Sequence, residues 1–243
     1  VLHALSKVQY GDGKEYLEKI IQVPFEIPAP SIANIHEALF SKLDSILGEI
    51  SEERWAKTTW TELFQFGLKQ YIKSIRDVIR YTNVFLLKYE LLKDETDPVD
   101  LLGLTSLQVF EPSLYSKLPS YKDILCGSDY SYSYERQKAD EEKVKQTLSL
   151  LIPNDETMTN RNAANNILGI LFPKTRTATG ISYSIGRNYS RRDFMINNNL
   201  AAPERFDRYF ALALENDAIP TNAIKYLIYL SRSNDSTILK MEF

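Results

Sequence analysis

The chain has 243 residues, a formal net charge of -3 and 44% hydrophobic residues, enough for one large domain or two modest ones with a real core. The charge balance gives no global reason to bind nucleic acid or an anionic membrane, no apolar run approaches the ~18–20 residues of a span, and the start lacks the layout of a signal peptide. A single cysteine, Cys126, excludes an internal disulfide framework and fits a cytoplasmic setting.

The chain opens on Val1, and "VLHALSKV" already has helical spacing at Val1, Leu5 and Val8. Residues 15–31, "EYLEKIIQVPFEIPAPS", end in prolines after an apolar run, so 20–27 reads as a strand. Its residues Ile20, Ile21, Val23, Phe25 and Ile27 alternate between two faces, and no partner strand follows. Ser31 caps the next helix, where Ile32, Ile35, Leu39, Leu43 and Leu47 keep a 3-4 spacing. "WTELFQFGLKQY" reads as a helix. "SIRDVIRYTNVFLLKYELLK" reads as a longer one begun by Ser74, with Ile75, Val78, Ile79, Thr82, Phe85 and Leu86 on its inner stripe. Arg76, Asp77, Arg80 and Lys88 are expected on other faces.

Asp97 and Pro98 start a helix as cap and first residue, and Pro112 and Pro119 break the following stretch into short pieces. "CGSDYSYSY" is the expected internal boundary, dividing the chain into 1–126 and 127–243. Beyond it lie helices ended by Pro153 and Pro173. A long loop over 174–199, with room for a short hairpin, and two more helical patterns from Pro203 and Pro220 follow. "NDSTILKMEF" then starts a helix at Asp235 or Ser236 and stops within about two turns, so both ends read as cut from something longer.

The chemistry-bearing residues are sparse. His3 and His36 are far from Cys126 in sequence, and no Cys/His set has zinc spacing, so neither nucleophilic catalysis nor a metal site is expected. "GDGKEY" misses the phosphate-loop spacing and has Glu15 where a hydroxyl is needed. The acidic runs at 52–53 and 140–142 read as solvated faces.

Three ordered stretches resemble one family, the KAP-type P-loop NTPases. They are "YLEKIIQVPFEIPAP", "SIRDVIRYTNVF", similar to its Arg-Asp-x-x-Arg-x-x-Asn segment, and "DPVDLLGLTSLQVFEPSLYSKL". "PERFDRYFALAL" is similar to the family's closing Phe-x-x-Tyr-Phe helix. The sequence departs from the pattern at Ile75, where the family often has Pro, and it holds no Walker A or Walker B segment. The resemblance implies a mainly α chain: a helical lid over 1–126, carrying the last strand of a nucleotide-binding sheet, and a C-terminal helical bundle over 127–243.

It also implies ATP and magnesium in a parent protein whose nucleotide-binding core is missing here. This chain alone would have no cofactor and no activity. The parent would couple hydrolysis to a signalling or phage-defence effector. Arg76 is implied as the lid arginine that meets the γ-phosphate, with Arg80 supporting it and Lys19 as a weaker phosphate contact. The uncovered strand face invites a second copy, hence a homo-oligomer.

The rival expectation is a free-standing helical interaction module. For it, "KTRTATGISYSIGRNYSRR" offers Lys174, Arg176, Arg187, Arg191 and Arg192 with two tyrosines and no acid, a pattern suited to single-stranded nucleic acid or another polyanion.

Overall fold

A computed structural model describes residues 28–48, 50–51, 54–127, 134–153, 158–179 and 191–211. The chain divides into two units, 1–31 and 32–243, and only residues 28–31 of the first are described. Among the described residues the regular structure is helical, with no strand. The strand expected at 20–27, and the part of the 174–199 loop at 180–190 where a hairpin would fit, lie outside the described residues.

The helices are α1 (Ile32–Leu47), α2 (Lys57–Glu62), α3 (Ile75–Leu92), α4 (Pro98–Phe110), α5 (Pro112–Lys117), α6 (Lys122–Leu125), α7 (Tyr134–Leu151), α8 (Arg161–Leu171), α9 (Arg176–Thr179), α10 (Arg191–Ile196) and α11 (Pro203–Phe206). Their starts follow local chemistry. Ser74, Asp97 and Asn160 accept from the backbone N–H three residues on, at 3.2, 2.9 and 3.0 Å. Each such cap stabilises its helix by about 1 kcal/mol. Pro98, Pro112 and Pro203 occupy first-turn positions, where a missing N–H costs nothing.

α4 is the central element. Every residue from Pro98 to Leu107 is buried, and α3, α5 and α8 pack around it. The packing therefore crosses residue 126, since α8 lies against α4 and against the turn at Leu63–Gly67. There the expected helix over 60–71 is interrupted. α2 gives way to a wider π-turn at Leu63–Gly67 and a 3-10 turn at Leu68–Gln70. Gly67 meets α8 so closely that a Cβ would stand 2.4 Å from Ile167 Cγ1. A regular helix with a larger residue would not fit that contact.

Two further expectations are corrected. The inner face of α3 is Val78, Tyr81, Thr82, Phe85, Lys88, Tyr89 and Leu92, whereas Ile75, Ile79 and Leu86 are exposed. The tyrosines bury more surface than the aliphatic side chains they displace, which turns the helix relative to a reading that weights only Ile, Leu, Val and Phe. Over 174–199 the chain is not all loop, because α9 and α10 form within it. Thr175 donates to the Leu168 carbonyl of α8 at 3.3 Å and to that of Phe172 just after it at 2.8 Å, and Arg176 donates to Gly169 at 3.2 Å, which extends helical structure past Pro173.

Candidate functional site

α3 starts with a tight polar knot. Ser74 Oγ donates to Asp77 Oδ2 at 2.8 Å, and the Lys73 N–H reaches the same oxygen at 3.3 Å. With the return bond from the Asp77 N–H to Ser74, this fixes the first turn and aims its next residue outward. Arg76 is exposed, and its side chain makes no hydrogen bond or ion pair among the described residues. Arg80, one turn on, is held in place. Its guanidinium sits 5.0 Å from the Phe110 ring centre and 3.9 Å from Asp77.

Arg80 also borders a cleft of about 350 Å³ between the end of α4, α5 and the chain after α7, with Lys117, Ser113 and Thr159 among its walls. Glu111, the one carboxylate among the described residues that line it, is fully engaged. It accepts from the Tyr71 hydroxyl at 2.9 Å, the Asn160 N–H at 2.7 Å and the Thr159 N–H at 3.1 Å. Burial, reinforced by the Glu111 charge and hydrogen bond, drives the Tyr71 phenol far above its ordinary range. Among the described residues the cleft thus offers two cations and no free carboxylate, a lining that suits an anion.

A second polar cluster joins 191–211 to the start of α4. Asn199 donates to Asp97 and Asp100 at 3.2 Å each, and the Leu200 N–H donates to Asp100 at 2.8 Å. Tyr209 donates to the Asn198 carbonyl at 2.6 Å and accepts from the Asp97 N–H at 2.9 Å. Arg208 and Arg205 both pair with buried Glu95. Asn198 takes a left-handed φ of 56°, which asparagine tolerates, to turn the chain into this cluster. Lys88 is buried beside it, donating to the Tyr115 hydroxyl at 3.0 Å and the Tyr209 carbonyl at 3.4 Å, and burial lowers its pKa to about 8.

Sequence reasoning did not single out this cluster. The signal was the pairing of "DPVD" with the asparagine run 197–199, which only the folded chain brings together.

The other predicted cations are scattered. Lys174 is half-buried; Arg176 is half-buried and tied to α8, where its charge partly offsets the burial that raises the Glu62 pKa. Arg192 is exposed on α10, while Lys19, Arg187 and the Arg191 side chain lie outside the described residues. Among the described residues no group of three His, Cys, Asp or Glu side chains could hold a metal ion, and no helix is long and apolar enough to cross a membrane.

Residues 1–92 match the model of the KAP family P-loop domain, an assignment that takes in α1 to α3 and ends with the last residue of α3. The match supports a KAP family P-loop domain in this part of the chain. No curated protein and no solved structure matches the chain.

Proposed function

We propose that this chain supplies the helical lid and C-terminal extension of a KAP-type P-loop NTPase, coupling ATP binding and hydrolysis in the parent protein to a signalling or phage-defence effector. The observation that carries the reading is Arg76, an exposed cation without a partner among the described residues, at the capped start of α3 and inside the family-matched segment. A fixed cation near a transferring phosphoryl group stabilises the charge that develops on it, and Arg76 suits that task. Arg80, clamped by Phe110 and Asp77, stiffens the same helix face.

The fit of the described residues to magnesium-ATP stops at a phosphate. The buried acids Glu95, Asp97, Asp100 and Glu111 are engaged within the protein, and no three acids among the described residues group as metal ligands, so no residue described here is assigned to magnesium. When bound, the nucleotide would supply the anhydride that is cleaved. With no Walker A segment, the 243-residue chain is expected to turn over no ATP by itself.

In a protein that joins it to a phosphate loop, Arg76→Ala should lower kcat by about 10²-fold or more with little change in nucleotide affinity. An unchanged kcat would return Arg76 to the class of surface ions.

A further inference from the structure

α3 carries a second face that its packing among the described residues leaves uncovered. Ile75, Ile79, Leu86, Leu87 and Leu91 are all exposed, Leu87 at 59% and Leu91 at 51%. With about 100° between successive residues, they share one half of the helix with Arg76, Arg80, Asn83 and Glu90. A helix normally turns a polar face to water, so five large aliphatic side chains on that side call for a partner.

The order along this face reverses onto itself about Asn83. Ile79 and Leu87 lie four residues to either side, Ile75 and Leu91 eight, and Arg76 and Glu90 seven. Laid antiparallel against its own copy on a twofold axis at Asn83, the helix brings Ile79 level with Leu87 and Arg76 level with Glu90 close to the seam, each pairing occurring twice, while Ile75 and Leu91 border it on opposite flanks. That is the self-complementarity an isologous interface requires. The charges also permit it. Arg76 has no ion-pair partner among the described residues, and the Glu90 contact with Lys93, 3.3 Å between exposed groups, is of the weak kind that exchanges readily. A lipid surface fits less well, because Glu90 would face an anionic headgroup layer.

We infer that two copies of this chain associate through antiparallel pairing of α3, with Asn83 on the axis and Arg76–Glu90 ion pairs at both ends. The pairing needs no nucleotide and does not depend on the lid reading. If Arg76 also meets phosphate, the dimer is the form in which that arginine is covered. An 18-residue helix is about 27 Å long, so one helix pair falls in the small, transient class of interfaces.

The test is sedimentation of the 243-residue chain over a concentration series reaching about 1 mM, without nucleotide. The wild type should shift from monomer to dimer. Arg76→Glu and Glu90→Arg should each stay monomeric, with unchanged helical circular dichroism, because each sets like charges opposite one another. An equimolar mixture of the two variants should dimerise again, since every Glu then meets an Arg, and so should the double variant. Asn83→Cys should be joined to its own copy by a short bis-maleimide. A wild type that stays monomeric throughout, single variants that dimerise as it does, or a mixture that fails to restore association would each overturn the assignment.

Discussion

Lys88 shows what one side chain can reveal about the interior. It sits on the buried face of α3 with a tyrosine hydroxyl and a carbonyl for company, and no carboxylate contributes to its lowered pKa of about 8. An unfolded lysine titrates near 10.4. Below pH 8 the amine is protonated in both states, and the folded protein carries the full cost of burying the charge. Between about pH 8 and 10 the unfolded chain binds the proton that the folded one has released, so this group's contribution to stability rises with pH. Lys88→Met keeps the length and removes the charge, at the expense of the bond to Tyr115. It should therefore stabilise the protein at pH 7 by about 1–2 kcal/mol and lose that advantage by pH 10. Urea unfolding of both proteins at the two pH values checks it. Comparing the pair removes the opposing effect of Cys126, whose thiol burial pushes up to about 12. An advantage independent of pH would mean that Lys88 does not titrate as a buried amine.

At the scale of elements, the Leu63–Gly67 turn and α8 approach each other closely at Gly67. An added methyl at Gly67 meets Ile167 at Cγ1 and at Cδ1, 2.4 and 3.0 Å away, and the first of these is not a free end that swings aside. Gly67→Ala should cost about 1–3 kcal/mol, and Ile167→Ala, about 2–5 kcal/mol alone, removes both clashing carbons and should recover part of that loss in the double variant. Thermal unfolding of the four proteins gives the cycle; strictly additive costs would place the strain elsewhere. Elements defined by caps and prolines were legible in the sequence: Ser74, Asp97 and Pro98 start their helices as expected. What periodicity did not reveal was orientation. On α3 nearly every position is apolar, aromatic or long, so two faces compete, and only the tyrosines' contacts with α4 decide which turns inward. The π-turn was likewise hidden, and the side chain its glycine packs against is an isoleucine 100 residues away.

For the whole molecule, the same limit applied to the candidate site. Arg76 and Arg80 were placed on α3 by local pattern, and their exposure followed, as did the Asp77 contact one turn before Arg80, but the Phe110 ring beneath Arg80 comes from α4 and could not be read from α3 alone. The polar cluster at Asp100 is longer-range still, and it bears on whether 32–211 melts as one body. Asp100 is fully buried and accepts from the Leu200 N–H and from Asn199, so Asp100→Ala strands a buried donor and loosens 198–211 from α4. The cost should be about 2–4 kcal/mol, or roughly 5–10 °C in a domain of this size. Both tryptophans, Trp55 and Trp60, lie in the aromatic group around Phe64, remote in sequence from Asp100. If the packing of α8 on α4 and on the 63–67 turn makes one cooperative unit, tryptophan fluorescence and helical circular dichroism should fall together, both at the lower temperature. A fluorescence midpoint that stays at the wild-type value while the dichroism splits into two steps would show that the C-terminal segment opens by itself, and the single-core account would fail.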